Sequence, residues 1–298
     1  MFLNIIIPSY RAGGTIARTI QSVLENRRTF DGEFDITVVD SSDDDTPDVI
    51  RSQSDDVRLI QLSEKAYPGA ARNRGVEVTK GDVLCFIDAD AYASENWLRE
   101  IHDFLEGHTD VAAVGGAVLN ANPDEGYSRL AHWCEFSGYG VNAPEGERRV
   151  QPTVNVAIRR EVFEKYGPFL EDQFGNEDVL LFSRMKQAGA RLMFQRAAAV
   201  YHRNKTELKD IYRHQRRLGE CTGRARVLYD LPGSFLVRPG MSFVVPFVKT
   251  HFICWRLLTQ ETAEFPSYMI HWPRVFGAMM EFASGFREGV ESARGGKS

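Results

Sequence analysis

The chain is 298 residues long, 43% hydrophobic and 26% charged, with a formal net charge of −5. That is enough for one large α/β domain with an appendage, at the ordinary composition of a globular protein, and it leaves no global basic field to attract nucleic acid. The four cysteines, Cys85, Cys134, Cys221 and Cys254, form no CxxC pair, so neither a zinc site nor a disulfide framework is indicated and a reducing, cytosolic compartment fits best.

The start, MFLNIIIP, has no basic n-region and a short apolar stretch broken by Asn4. It predicts a first strand over residues 3–7 rather than a signal peptide. Helical periodicity follows over 15–25, a strand over 35–39 ending at Asp40, and a short helix over 46–52 with Pro47 in its first turn. A strand over 57–62, a helix over 70–78, a strand over 83–87, a helix over 95–105 and a strand over 111–119 complete the first half. Alternation of this kind predicts an α/β fold with a mostly parallel sheet flanked by helices. In such sheets ligands bind beyond the carboxyl ends of strands. Residues 8–11, 40–45 and 88–90 all fall at such ends.

Residues 120–149 are rich in Gly, Pro, Asn and charge and read as a long excursion with one helix over 127–136. A strand over 153–158, a helix over 160–166, a helix over 176–187 stopped near Gly189, strands over 191–194 and 198–201, and a long helix from 206 to about 229 are expected next. These readings divide the chain into a catalytic domain over 1–230, with halves 1–119 and 120–230, and a C-terminal amphipathic helical extension over 231–298.

The sharpest chemical feature is the apolar run CFIDADA at 85–91. Strand side chains alternate faces, so Asp88 and Asp90 are expected to point the same way at the strand end. Two hard oxygen ligands there suit Mg²⁺ or Mn²⁺, above all an ion that also holds a diphosphate. Asp40 ends an apolar strand, where a carboxylate can accept a hydrogen bond from a nucleobase N–H. Arg72 lies on a helix opened by Pro68 and Gly69, and its guanidinium fork suits a diphosphate. Glu177 and Asp178 open a helix; the dipole alone favours carboxylates there.

These segments together resemble family 2 glycosyltransferases with the GT-A fold. IIIPSY (5–10) resembles the family's opening strand and base-cradling turn, and VVDSSDDDT (38–46) the strand whose last Asp contacts the base. PGAARNRG (68–75), the DxD run, NVAIRR (155–160) and GNED (175–178) follow in the family's order. The match covers residues 3 to about 205. One departure is the second segment, where Asp44 or Asp45 stands for a frequent Gly.

The resemblance implies a Rossmann-like GT-A nucleotide-diphospho-sugar transferase sheet and a metal-dependent, inverting, single-displacement transfer. The sugar passes from a nucleoside-diphosphate donor, UDP-, GDP- or dTDP-linked, to a hydroxyl of a glycan, polysaccharide or lipid-linked acceptor. It implies Asp178, with Glu177 beside it, as the general base. Pro8, Tyr10, Asp40, Ser42, Arg72 and Asp88 become donor-binding residues, and Asp90 and His202 ligands to Mn²⁺ or Mg²⁺; the imidazole tilts the choice to Mn²⁺. HQRRLG (214–219) loosely resembles a late Q-x-x-R-W pattern but lacks the Trp.

Residues 231–286 turn apolar and aromatic with scattered cations. The nearest approach to a membrane span, 241–258, carries Lys249, His251 and Arg256. Amphipathic helices of this composition suit peripheral membrane contact on the cytoplasmic face, and equally packing on the catalytic domain or a homodimer. Two other classes stand beside the transferase. A non-catalytic nucleotide-sugar or glycan-binding module would have no need of the Glu177 and Asp178 pair. A DxD phosphatase of the haloacid dehalogenase type would use Asp88 as nucleophile but places that motif earlier in the chain.

Overall fold

Runs of β-branched and leucine side chains between turn signals form the strands. In the computed structural model, which describes residues 1–172, 174–229 and 231–295, β1 (Leu3–Ser9) pairs in parallel with β2 (Phe34–Asp40), and β2 with β3 (Val57–Gln61). On its other side β1 pairs in parallel with β4 (Val83–Ile87). The crossovers run through α1 (Ile16–Glu25), α2 (Thr46–Arg51) and α3 (Pro68–Glu77), as parallel pairing requires.

The sheet becomes mixed beyond β4. It continues through β8 (Asn155–Arg159), β6 (Val111–Asn120), β9 (Arg191–His202) and β5 (Ala91–Ala93), with the two-residue β7 (Gly146–Glu147) on β9. β8 is antiparallel to both β4 and β6, and β5 is antiparallel to β9. Helices α4 (Trp97–Gly107), α6 (Arg160–Tyr166) and α7 (Glu177–Gln187) follow β5, β8 and the turn at Gly175. The core under the sheet joins Ile6, Leu84, Phe86, Val156, Phe169 and Leu181. The α/β fold with a mostly parallel sheet flanked by helices, expected from the alternation, is therefore present, its antiparallel pairs lying beyond β4.

Two local readings differ. The strands expected at 191–194 and 198–201 are one twelve-residue strand, β9. It passes its register shift against β6 between Gly116 and Val118, where a bulge turns Arg196 and Ala197 outward. A Cβ on Gly116 would lie 1.5 Å from the Ala198 carbonyl oxygen, so no other residue fits that crossing. The short β5 carries too few residues for a periodicity to announce it.

The chain separates into two compact units. The first holds Met1–Ala121, the stretch from Pro144, and Glu177–His202, which include the whole sheet. The second holds Asn122–Ala143, Phe174–Asn176 and the chain from Arg203 onward. Its helices are α5 (Ser128–Phe136), α8 (Leu208–Leu228), α9 (Val245–Gln260) and α10 (Phe265–Gly295). The expected division at residue 230 lies outside the described residues; α8 before it and α10 after it pack together in this unit. They approach through glycines. A Cβ on Gly219 or Gly223 would meet the carbonyl oxygens of Phe282 or Phe286 at 2.0 and 2.1 Å, and one on Gly285 or Gly289 those of Arg216 or Glu220 at 1.9 Å.

Candidate active site

The carboxyl ends of β1, β2 and β4 carry Pro8, Tyr10, Asp40, Ser42, Asp88 and Asp90, while Arg72 on α3, Glu177 and Asp178 on α7 and His202 at the end of β9 belong to the same first unit. At the end of β4 the chain does not continue as a strand. The Ala91 N–H donates to the Asp88 carbonyl at 3.0 Å, closing a tight turn, and Thr19 Oγ1 donates to the Ala89 carbonyl at 2.9 Å. The expected alternation therefore fails, and the two carboxylates part. Asp88 accepts from Arg72 Nη2 at 2.6 Å. Asp90 stands beside His202, with Oδ1 and Nε2 3.4 Å apart.

Arg72 is the hub. Its side chain is 3% exposed, yet it holds two carboxylates: Asp88 through Nη2, and the buried Glu177 through Nη1 at 2.7 Å. Burial opposes its charge, but the facing charges of Asp88 and Glu177 prevail and its pKa is raised. Within this ion network Arg72 Nε and Glu177 Oε2 are buried without a hydrogen-bond partner. Helix α3 is set by its own sequence. Pro68 stands in its first turn, and a Cβ on Gly69 would lie 2.0 Å from the Leu170 carbonyl oxygen. Asn73 grips the same segment, donating to the Phe169 carbonyl at 2.9 Å and accepting the Phe169 N–H at 2.9 Å. Arg74, next along the helix, is exposed and pairs with Glu77.

Asp178 follows Glu177 on α7. Burial, then the neighbouring Glu177 charge, pushes its carboxyl up to about 7, against the Val179 N–H and the Arg72 charge that favour ionisation. A carboxyl poised there is half-protonated near neutral pH. An Asn just before a helix commonly caps it; the Asn176 side-chain amide instead exchanges hydrogen bonds with Thr222 of α8, within the second unit, at 3.1 and 3.3 Å. Gly175 and Asn176 both have positive φ, 77° and 66°, a conformation that Gly and Asn tolerate best.

At the ends of β1 and β2, Asp40 is fully buried and its carboxylate accepts from Ser42 N–H at 3.0 Å and Ser42 Oγ at 2.7 Å. Ser42 Oγ in turn accepts the Arg11 N–H at 2.7 Å. Pro8 pairs with Val39 and Ser9 with Asp40 in the β1–β2 register, so Tyr10 emerges directly after the strand. Its ring carries the Lys65 ammonium at 4.2 Å. Arg11, at φ 50°, makes a two-pronged pair with Asp43 at 2.6 and 2.7 Å, and that hydrogen bond draws the Asp43 carboxyl down to about 2. Sequence reasoning missed Arg11, Asp43 and Lys65. The first two stand inside or beside quoted motifs; Lys65 lies in a loop with no pattern.

Metal fit can be judged on the Asp90 and His202 pair. β5 places Ala91 opposite His202 in antiparallel register, which fixes Asp90 at the imidazole. Two donors on one ion at about 2.1 Å and near a right angle stand about 3 Å apart, close to the 3.4 Å here. Asp90 is 44% exposed, leaving room for ligands from a bound diphosphate. Among the described residues no three His, Cys, Asp or Glu side chains gather into a complete metal cage, so the pair fits an ion completed by substrate and water.

The chain matches the family model for glycosyl transferase family 2 over residues 4–167. It is 30% identical over 198 residues to the glycosyltransferase AglE of Haloferax volcanii, covering 65% of this chain and 64% of AglE. It is 27% identical over 210 residues to the glucosyl-dolichyl phosphate glucuronosyltransferase of the same organism, covering 63% of this chain and 64% of that one. The chain thus spans a little under two thirds of these relatives. A solved structure, the mannosyltransferase PcManGT from Pyrobaculum calidifontis in complex with GDP-Man and Mn²⁺, superposes with a TM-score of 0.64 at 15% identity, over 99% of this chain and 88% of that one. That likeness shows the GT-A fold.

Proposed function

Because the chain belongs to glycosyl transferase family 2, we propose that it transfers a sugar from a nucleoside-diphosphate donor to an acceptor hydroxyl by a single displacement with inversion. The observation that carries this reading is the buried ion network: Arg72 bridging Asp88 and Glu177 beside a carboxyl poised near neutrality, Asp178.

Asp178 accepts the proton of the acceptor hydroxyl as that oxygen attacks the anomeric carbon. Its desolvated carboxylate is a stronger base than an exposed one. Glu177 and Asp88 are positioned by Arg72, which keeps the acidic floor of the site from repelling itself. Asp88 is then a ribose- or water-facing group, and its ion pair with Arg72 speaks against a nucleophilic role of the phosphatase kind. Pro8, Tyr10, Asp40 and Ser42 form the base and ribose side, with the Asp40 carboxylate pinned by Ser42. Asp90 and His202 would hold Mn²⁺ or Mg²⁺, which when bound offsets charge on the departing diphosphate. The acceptor is read as lipid-linked, with the chain working peripherally at the cytoplasmic face of a membrane. Support comes from the exposed apolar side of α9 and from the glucosyl-dolichyl phosphate for which the glucuronosyltransferase relative is named.

The test is thermal stability against UDP, GDP, dTDP and CDP, each with and without Mn²⁺, on the wild type, Asp90→Ala and Asp178→Asn. One nucleotide is expected to stabilise the wild type only with metal, Asp90→Ala to lose that response, and Asp178→Asn to keep it while losing sugar transfer. Full transfer by Asp178→Asn would remove it as the base.

A further inference from the structure

The second unit carries three cations that form no ion pair among the described residues, Lys249 and Arg256 on α9 and Arg226 on α8. None is freely solvated. Lys249 sits with its ammonium 3.5 Å over the Phe282 ring, Arg256 packs on Gly138, and Arg226 spends its donors on the carbonyls of Pro232 and Thr222 at 3.2 and 3.3 Å. Burial, and then the Arg226 and Arg256 charges, hold the Lys249 ammonium down to about 8, although Cys134 and Glu135 act the other way. Glu135 is itself engaged with His214 at 3.2 Å. Each is half-buried, and charge held partly from water is normally paired; these three pair with no carboxylate among the described residues.

The neighbouring surface is the most apolar on the chain. Among the described residues, fourteen of the seventeen exposed large hydrophobic side chains fall between Leu228 and Met280. On α9, Phe247, Val248, Phe252, Trp255 and Leu258 share one exposed side. The opposite side, with Val245, Ile253 and Leu257, is buried in the unit's own core. Lys249 and Arg256, seven residues apart, line the border between the two sides. The stretch Met241–Gln260 has the length and mean hydropathy, 1.2, of a membrane span, but its buried side is already packed against protein. No Asp or Glu occurs from residue 231 to 260 or from 265 to 280, so α9 itself carries positive charge alone. That pattern matches an anionic lipid layer rather than a second copy of the same surface, whose cations would repel.

We propose that Lys249, Arg256 and Arg226 bind the phosphate of an amphiphilic lipid whose hydrocarbon chain lies along the exposed apolar side of α9. The phosphate supplies the missing counter-charge, and the chain covers the exposed aromatics. The proposal rests on the reading of the acceptor as lipid-linked and gives it a chemical class, a lipid carrying a terminal phosphate or diphosphate.

Flotation of the full chain with vesicles tests it. Phosphatidylcholine vesicles are compared with the same vesicles containing phosphatidic acid, a phosphate monoester lipid. Wild type is expected to bind the doped vesicles about thirtyfold more tightly, the worth of two cations near an anionic surface. The Lys249→Gln/Arg256→Gln double variant is expected to bind both kinds equally, at the level of wild type on phosphatidylcholine. Phe252→Ser/Trp255→Ser is expected to lose binding to both.

Melting temperature checks folding. The cation variant should melt at or above wild type, because it loses mutual repulsion, and Lys249→Arg should restore the preference for doped vesicles. A double variant that keeps the preference overturns the proposal, as does a wild type without one. Stabilisation by inorganic phosphate equal to that by short-chain phosphatidic acid would assign the site to free phosphate and overturn the lipid. So would apolar variants that change the oligomeric state and leave vesicle binding intact. Nucleotide stabilisation on the same samples separates the two failures. It is absent if the transferase reading fails, and present without a phosphate preference if only the lipid site fails.

Discussion

Arg72 shows how one side chain organises the candidate site. A guanidinium stays charged when buried, and its fork reaches two carboxylates that would otherwise repel. Arg72→Ala strands Glu177 as a buried charge without a partner, and the expected loss of folding stability is about 3–5 kcal/mol, read from denaturant unfolding. Lys is expected to recover only part of it, since an ammonium cannot make both bonds at 2.6 and 2.7 Å in one plane. Asp178 carries a pH signature. Its pKa rises from 3.8 to about 7 on folding, so the folded state holds the proton more tightly. This group's contribution is fully present below about pH 4 and is lost as pH rises through about 7. Asp178→Asn should remove that decline, leaving the variant more stable relative to wild type at pH 8 than at pH 5. Sugar transfer should fall by about 10²–10⁴, the usual worth of a general base.

Elements position these residues through close approaches that their sequences permit. Helix α3 brings Arg72 under the sheet end because Gly69 lets its first turn touch the Leu170 carbonyl. In the second unit α8 and α10 meet backbone to backbone at Gly219, Gly223, Gly285 and Gly289. Gly285→Ala places a methyl 1.9 Å from the Arg216 carbonyl oxygen; the helices must part. A cost of about 1–3 kcal/mol is expected, as for other overpacked sites, measurable by thermal unfolding. Gly107→Ala, with nothing within 4 Å of its Cβ, is the control and should change stability far less. The turn after β4 also acts at this scale. Asp88 and Asp90 look like neighbours on one strand face, yet the bond from Ala91 N–H to the Asp88 carbonyl sends one to Arg72 and the other to His202.

Across the whole molecule, polar chemistry and exposed apolar surface are segregated. The strand-end carboxylates all belong to the first unit, and the exposed aromatics of α9 and α10 to the second. Contiguous apolar surface of this kind drives association when nothing covers it. The purified chain is expected to bind micelles of an uncharged detergent, seen by light scattering as a rise in particle mass, and Phe247→Ser/Phe252→Ser/Trp255→Ser to lose that binding. Stabilisation by the cognate nucleotide should be unchanged in that variant, because none of the three residues lies in the sheet unit.

The sequence by itself determined the alternating α/β order, the strand-end placement of the polar segments and the family. Those follow from local periodicity and from motifs whose residues lie close together in the chain. It also marked Arg72 inside α3 and Asp40, Asp88, Asp90, Glu177, Asp178 and His202 at or beside element boundaries. Only the tertiary structure decided which of them meet. Arg72 and Glu177 are 105 residues apart and Asp90 and His202 are 112 apart in number, and no local pattern pairs partners at such separations. The tertiary structure also turned Asn176 toward Thr222 and placed Lys249 over a ring 33 residues further on. Each depends on burial and close packing, which sequence spacing does not encode; only the assembled core sets which charge loses its water and which partner replaces it.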